Sequence, residues 1–278
     1  MTEEADSVKA VTNKERLALP TINDCLIQAG WGIRPTEPDQ VVTPLRATLA
    51  LLDRVGGALC GPWGYGEGDS FETARVVDVT EMDDSRLCQL VGESLDPRYP
   101  SSGFSRSLTR GAVITPQGWA SRNRAVLTFR FGSRVGDLIS ISGDRQMGPA
   151  VTMRKHAVEL VEGLAQIWNA AFVSFRDRAL GDLEGAFWKE HGGWDGHQWP
   201  MWGYVSLMTG HVARNLDVAT PWASVTPRGT GWLVQTNSQV PQDAAHMWKC
   251  LYEHGCLRHA PGWQEPESEI PGLVEAAG

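Results

Sequence analysis

Between Met201 and Leu257 the chain sets out two short apolar segments and then an amphipathic helix, and that order restricts the folds open to it. Met201-Trp202-Gly203-Tyr204-Val205-Ser206-Leu207-Met208 is aromatic and β-branched enough to be a strand. After a turn-rich middle, Gly229-Thr230-Gly231 leads into Trp232-Leu233-Val234-Gln235-Thr236-Asn237, a second strand bounded by glycines and Asn237. Pro241 opens a helix ending near Gly255, in which Ala244, Met247, Trp248 and Leu251 recur at three- and four-residue steps on one face. Two strands and a covering helix form a core-building unit, and the unit holds no catalytic motif.

The rest of the chain repeats this alternation without regularity. Residues 1–20 read as a flexible lead. An apolar stretch from Asp24 to Trp31 is the first ordered element, and a helix follows from Asp39 to Arg54 with Val42, Leu45, Leu49 and Leu52 as its buried stripe. Gly56-Gly57 ends it. Gly61 to Asp69 is glycine-rich and reads as a loop. Thr73 to Val79 reads as a strand, and Thr80-Glu81-Met82-Asp83 as a helix N-cap followed by Leu87, Leu90 and Val91 facing the core. Residues 95–122, with Pro97, Pro100 and Pro116, read as a long irregular insertion. Ala125 to Phe131 alternates and returns through Asp137 to Ser142, a hairpin with one solvated face. A helix from Ala150 to Asn169, a strand at Ala171–Phe175 and a helix from Asp177 to Lys189 complete the set. Strands in hairpins with helices inserted between them predict an α+β fold, mainly antiparallel sheet covered by helices. The domain is expected to span 21–258, with subdomains meeting near 120/121, and 259–278 to form a flexible tail.

Charge narrows the function. The net charge is −8, and a nucleic-acid binder needs a basic footprint, so nucleic acid is not the expected partner. A basic protein partner suits an acidic chain, because opposite potentials steer association. No run approaches the ~20 apolar residues of a membrane helix, and the start of the chain is acidic rather than signal-like, so a cytoplasmic protein is expected. Five cysteines, an odd number in a long chain, do not suggest a disulfide framework.

Candidate chemistry is sparse. The chain has no Gly-x-Ser-x-Gly elbow, no phosphate-cradling Gly-x-x-x-x-Gly-Lys loop and no dinucleotide fingerprint. Cys250, His254, Cys256 and His259 are of zinc-ligand type, but their spacing fits no standard finger and reads better as a helix C-terminus with a buried cysteine. His191, Asp195 and His197 lie in a glycine- and tryptophan-rich loop and could serve a metal-dependent hydrolase, yet no fourth group completes a ligand set. Glu81, Asp83 and Asp84 are read first as capping and solvation, second as a docking patch for a basic partner. Trp63, Trp194 and Asp195 are candidate interface anchors in loops.

Three places carry a likeness to a known family: Ala29-Gly30-Trp31-Gly32-Ile33-Arg34 followed by a helix and Gly61-Pro62-Trp63; Trp202-Gly203-Tyr204-Val205-Ser206-Leu207; and Gly231-Trp232-Leu233-Val234-Gln235-Thr236 followed by a helix ending in Leu251, His254-Gly255 and Leu257. With these, the chain resembles the immunity protein 52 family of bacterial polymorphic-toxin systems over about residues 22–258. The resemblance implies a protein without enzymatic activity or cofactor. Such a protein binds and blocks a cognate toxin made beside it, often a nuclease. On that reading Glu81, Asp83, Asp84, Trp63, Trp194 and Asp195 meet the toxin. The competing readings are a metal-dependent hydrolase built on His191, Asp195 and His197, and a structural or phage-associated interaction protein. The sequence leaves the oligomeric state open.

Overall fold

The structure is a computed structural model that describes residues 25–32, 36–67, 75–95, 103–110, 113–115, 118–120, 125–132, 137–143, 148–191 and 199–260. Its strands are β1 (Cys25–Gly32), β2 (Trp63–Glu67), β3 (Arg75–Asp78), β4 (Phe104–Arg110), β5 (Val113–Thr115), β6 (Gly118–Ala120), β7 (Ala125–Phe131), β8 (Asp137–Gly143), β9 (Phe172–Asp177), β10 (Val205–Thr209), β11 (Ala223–Arg228) and β12 (Gly231–Thr236). Its helices are α1 (Pro38–Val55), α2 (Asp84–Gly92), α3 (Gly148–Lys155), α4 (Ala157–Trp168), α5 (Arg178–Glu190) and α6 (Pro241–Glu253).

Ten strands make one sheet in the order β11-β12-β10-β9-β1-β8-β7-β4-β2-β3, and β5 and β6 pair separately. All the pairings are antiparallel. The α+β class read from the sequence is the class observed. β1 lies in the middle of the sheet, between β8 and β9, so the first strand of the domain joins the two wings. Across position 120 the sheet continues without a break, because β4 pairs with β7 over its whole length.

Register places Ile27, Ala29 and Trp31 on one face with Ile141, Ile139, Phe175 and Val173. Helices α1 and α4 cover that face. Trp31 stacks on Trp168 of α4 (5.5 Å between centroids, 5° between planes), and Phe131 closes the group at 5.1 Å from Trp168. Both indole N–H groups of this stack have a partner, as burial of a donor requires: Trp168 donates to Thr48 Oγ1 at 2.9 Å and Trp31 to Asp137 Oδ2 at 3.3 Å. The opposite face is covered on the β9–β10–β12 wing by α5 and α6. There Ser174 Oγ donates to the Met201 carbonyl (2.8 Å) and Trp248 Nε1 to the Gly203 carbonyl (2.9 Å). On the other wing β7 alternates between buried Ala125, Leu127, Phe129 and Phe131 and half-buried partners, so the hairpin has the solvated face expected of it.

Four expectations need correction. The glycine-rich segment after Gly61 is not all loop: it contains β2. Its glycines have no strand preference of their own, and pairing with β3 and β4 holds them extended. Gly64 is required there, because a Cβ would sit 2.7 Å from the Val77 carbonyl oxygen. The insertion at 95–122 is not irregular throughout: it supplies β4 to the main sheet and the β5–β6 pair. The single helix expected from Ala150 to Asn169 is two, α3 and α4, broken at His156. The apolar stripe of Ala150, Met153, Ala157 and Leu160 runs on across the break, so periodicity alone cannot show it. The turn-rich middle between the two founding strands holds β11, which pairs with β12 from Ala223 to Arg228.

Candidate functional site

The acidic run after β3 forms a loop held from below. Val79 is fully buried and pins the loop to the core. Arg46, on the flank of α1, reaches the loop with its whole guanidinium. Nη1 donates to the carbonyls of Val79 (3.1 Å) and Thr80 (3.3 Å), Nη2 to that of Met82, and Nε to Asp84 Oδ1 (3.2 Å). Asp78 adds a local brace by accepting from the Thr80 amide (2.8 Å) and hydroxyl (2.6 Å). The N-cap of α2 is Asp83 rather than Thr80, since Asp83 Oδ1 accepts from the Arg86 amide at 2.7 Å. Leu87, Leu90 and Val91 are buried as expected. Glu81, Asp83 and Asp84 are all exposed, and the Asp84 side chain remains 77% accessible despite its ion pair.

Asp83 therefore has two duties, capping α2 and presenting charge, whereas the Glu81 side chain makes no hydrogen bond or ion pair among the described residues. Arg46 is the residue that sequence reasoning missed. It lies 38 positions before Asp84, and nothing local to either residue announces the pairing.

Trp63 is not an exposed anchor. It is 1% accessible, packs in the core, and its Nε1 donates to the Leu59 carbonyl at 3.3 Å. The loop that was expected to display it is a strand, and alternation turns its side chain inward. Trp194, Asp195 and His197 lie outside the described residues. His191 closes α5: its Nδ1 is 2.8 Å from the Phe187 carbonyl and its ring is 4.0 Å from that of Phe187. At the end of α6, His254 Nδ1 sits 2.8 Å from the Cys250 carbonyl, and Cys256 is buried with Sγ 3.5 Å from the Asn215 carbonyl. Burial, helped by Asp217, pushes the Cys256 thiol up. Among the described residues no group of three or more His, Cys, Asp or Glu side chains is placed to hold a metal ion.

The grooves of ligand size among the described residues include two with charged walls. One, of about 500 Å³, lies along α1 and α4; Arg54 and His156 pair with Glu159 and Glu162 pairs with Arg228, while Lys155, which lines it too, has no ion pair among the described residues. The other, of about 670 Å³, lies between α3 and the first residues of α5 and α6. Among the described residues its only carboxylate is Asp177, the N-cap of α5, which accepts from the Leu180 amide and the Tyr204 hydroxyl, both at 3.0 Å. Burial and the Asp177 charge push the Tyr204 hydroxyl well above the ordinary phenol range, so it stays a donor. Among the described residues no helix is long and apolar enough to cross a membrane.

No family model matches the chain, and no curated protein matches it. Among solved structures it is similar to a Pseudomonas aeruginosa T6SS protein, PA0821, with a TM-score of 0.42 and 8% identity over 81% of this chain and 75% of that one. Likeness at this level says nothing about what the chain does.

Proposed function

We propose that the chain is an immunity protein that binds a cognate bacterial toxin and covers its active or substrate-binding surface, without catalysis of its own. The observation that carries this reading is the clamped acidic loop. Glu81, Asp83 and Asp84 stand in solvent on a backbone held by Arg46, so little conformational entropy is lost when a basic surface docks on them. A nuclease exposes such a basic surface, because it must bind phosphates. An acidic inhibitor competes for the same patch. The sequence motifs that resemble immunity protein 52 build the core of the scaffold: Trp31, Trp63 and Trp202 are all buried.

The test is co-expression with the neighbouring gene, read as rescue of growth and as co-purification. Rescue with co-purification is the expected result. Absence of both would remove the reading. Glu81→Lys is the informative variant, since it reverses a charge that neither caps α2 nor meets Arg46.

A further inference from the structure

The groove between α3, α5 and α6 differs in character from the rest of this acidic protein. Val151 (64% accessible) and Val240 (49%) are two of the three large hydrophobic side chains that stand exposed among the described residues; Val151 lines this groove, and Val240 stands in the chain between Gln239 and Pro241, which also line it. Cys25 and Ala150, both buried, lie in its floor, and Ala179 and Pro241 continue its apolar wall.

Its polar groups are mainly cationic. Arg154 keeps a 48% accessible side chain and reaches Asp177 Oδ2 only at 3.9 Å, while that carboxylate's other oxygen is engaged by Leu180 and Tyr204. Lys155 makes no ion pair among the described residues. Helix α6 begins beside the groove with Val240 at the N-cap and Pro241 next; it has no side-chain cap, and Asp243 is the one acidic residue of its first turn. A concave apolar surface with two available cations, on a chain whose net charge is −8, is complementary to a carboxylate next to a hydrophobic side chain.

We propose that this groove docks an acidic, apolar peptide segment of a protein partner, with a carboxylate on Arg154 and Lys155 and an aliphatic side chain against Val151 and Val240. The surface is separate in sequence and in charge from the Glu81–Asp84 loop, so it stands or falls independently of the toxin reading. Its partner is acidic where the loop's partner is basic.

The experiment uses the full chain with methyl labelling. It is titrated with the capped peptide acetyl-Leu-Glu-Leu-Asp-Leu-amide, with the charge-reversed acetyl-Leu-Lys-Leu-Lys-Leu-amide, and with octanoate. The acidic peptide is expected to shift the methyl resonances of Ala150, Val151, Ala179 and Val240. Its affinity is expected to fall as salt is raised, and about tenfold in Lys155→Gln. Val151→Ser, at an exposed position on α3, is expected to weaken binding several-fold with the thermal midpoint unchanged.

Four outcomes overturn the proposal. They are equal binding of the lysine peptide, shifts confined to other methyl groups, the same shifts from octanoate alone, and self-association that Val151→Ser abolishes. The last two would make the groove a small-amphiphile pocket or a contact between copies of the chain. Because Glu81 is untouched in both variants, growth rescue by co-expression reports separately on the toxin reading.

Discussion

The Arg46 guanidinium meets the acidic loop through three carbonyls and one carboxylate while only 28% of its side chain is accessible. Hydrogen bonds to a charged donor are stronger than neutral ones, and carbonyls left without a donor lose that energy. Arg46→Ala is expected to destabilise the protein by about 1–3 kcal/mol in urea titrations and to speed amide exchange across 79–84 more than elsewhere. Equal exchange in wild type and variant would show that the loop does not need its clamp. A second residue-scale feature lies under the other wing. Glu184 is buried against Arg176 and accepts from the Trp202 amide at 3.2 Å. Burial pushes its carboxyl above the ordinary range, and Arg176 and Trp202 pull it part of the way back. A carboxyl raised in the folded state holds its proton longer folded than unfolded. Its contribution is therefore fully present below the unfolded value and is lost as pH rises through the folded one. Urea-derived stability should thus carry, over that window, a downward slope with rising pH that Glu184→Gln lacks.

At the scale of elements, the contact between β10 and β12 sets the geometry of the wing that α5 and α6 cover. Gly231 pairs with Thr209, and a Cβ at Gly231 would overlap the Met208 carbonyl oxygen. Backbone cannot yield as a flexible side-chain tip can, so β12 must move. Gly231→Ala is expected to cost about 1–3 kcal/mol and to weaken protection of the β10 and β12 amides together. A neutral result would mean that the strand end slides freely. The break at His156 is the matching feature on the other side. It lets α3 cap the ends of β8 and β1 while α4 lies flat on the face that carries Trp31, and it gives the groove its wall.

At the scale of the molecule, the described residues hold two charged features of opposite sign. A clamped carboxylate loop near one edge strand, β3, and a small cationic groove at the ends of β1 and β9 offer opposite potentials to partners. If the loop steers a basic toxin, the association rate should fall with ionic strength. Glu81→Lys should lower it several-fold to about tenfold, with a smaller change in dissociation, as measured by stopped-flow or surface binding. An unchanged association rate would place the interface elsewhere. The folded scaffold should be indifferent, because the Glu81 side chain makes no hydrogen bond or ion pair among the described residues.

The sequence alone determined the class of the fold, the β7–β8 hairpin and the buried faces of α1, α2 and α6. In each of these, local periodicity and burial are the same fact: Leu45 and Leu49, or Met247 and Trp248, recur at the step of the structure they form. Only the tertiary structure decided that the glycines around Tyr65 form a strand, that β1 is central, and that Trp63 belongs to the core instead of an interface. Those outcomes depend on hydrogen bonds to strands distant in sequence, and a glycine or a tryptophan accepts either fate until its neighbours arrive. The candidate acidic residues were legible as exposed charge. Their rigidity was not, because it comes from an arginine 38 residues upstream, and the cationic groove joins α3, α5 and α6 from three separate stretches of chain.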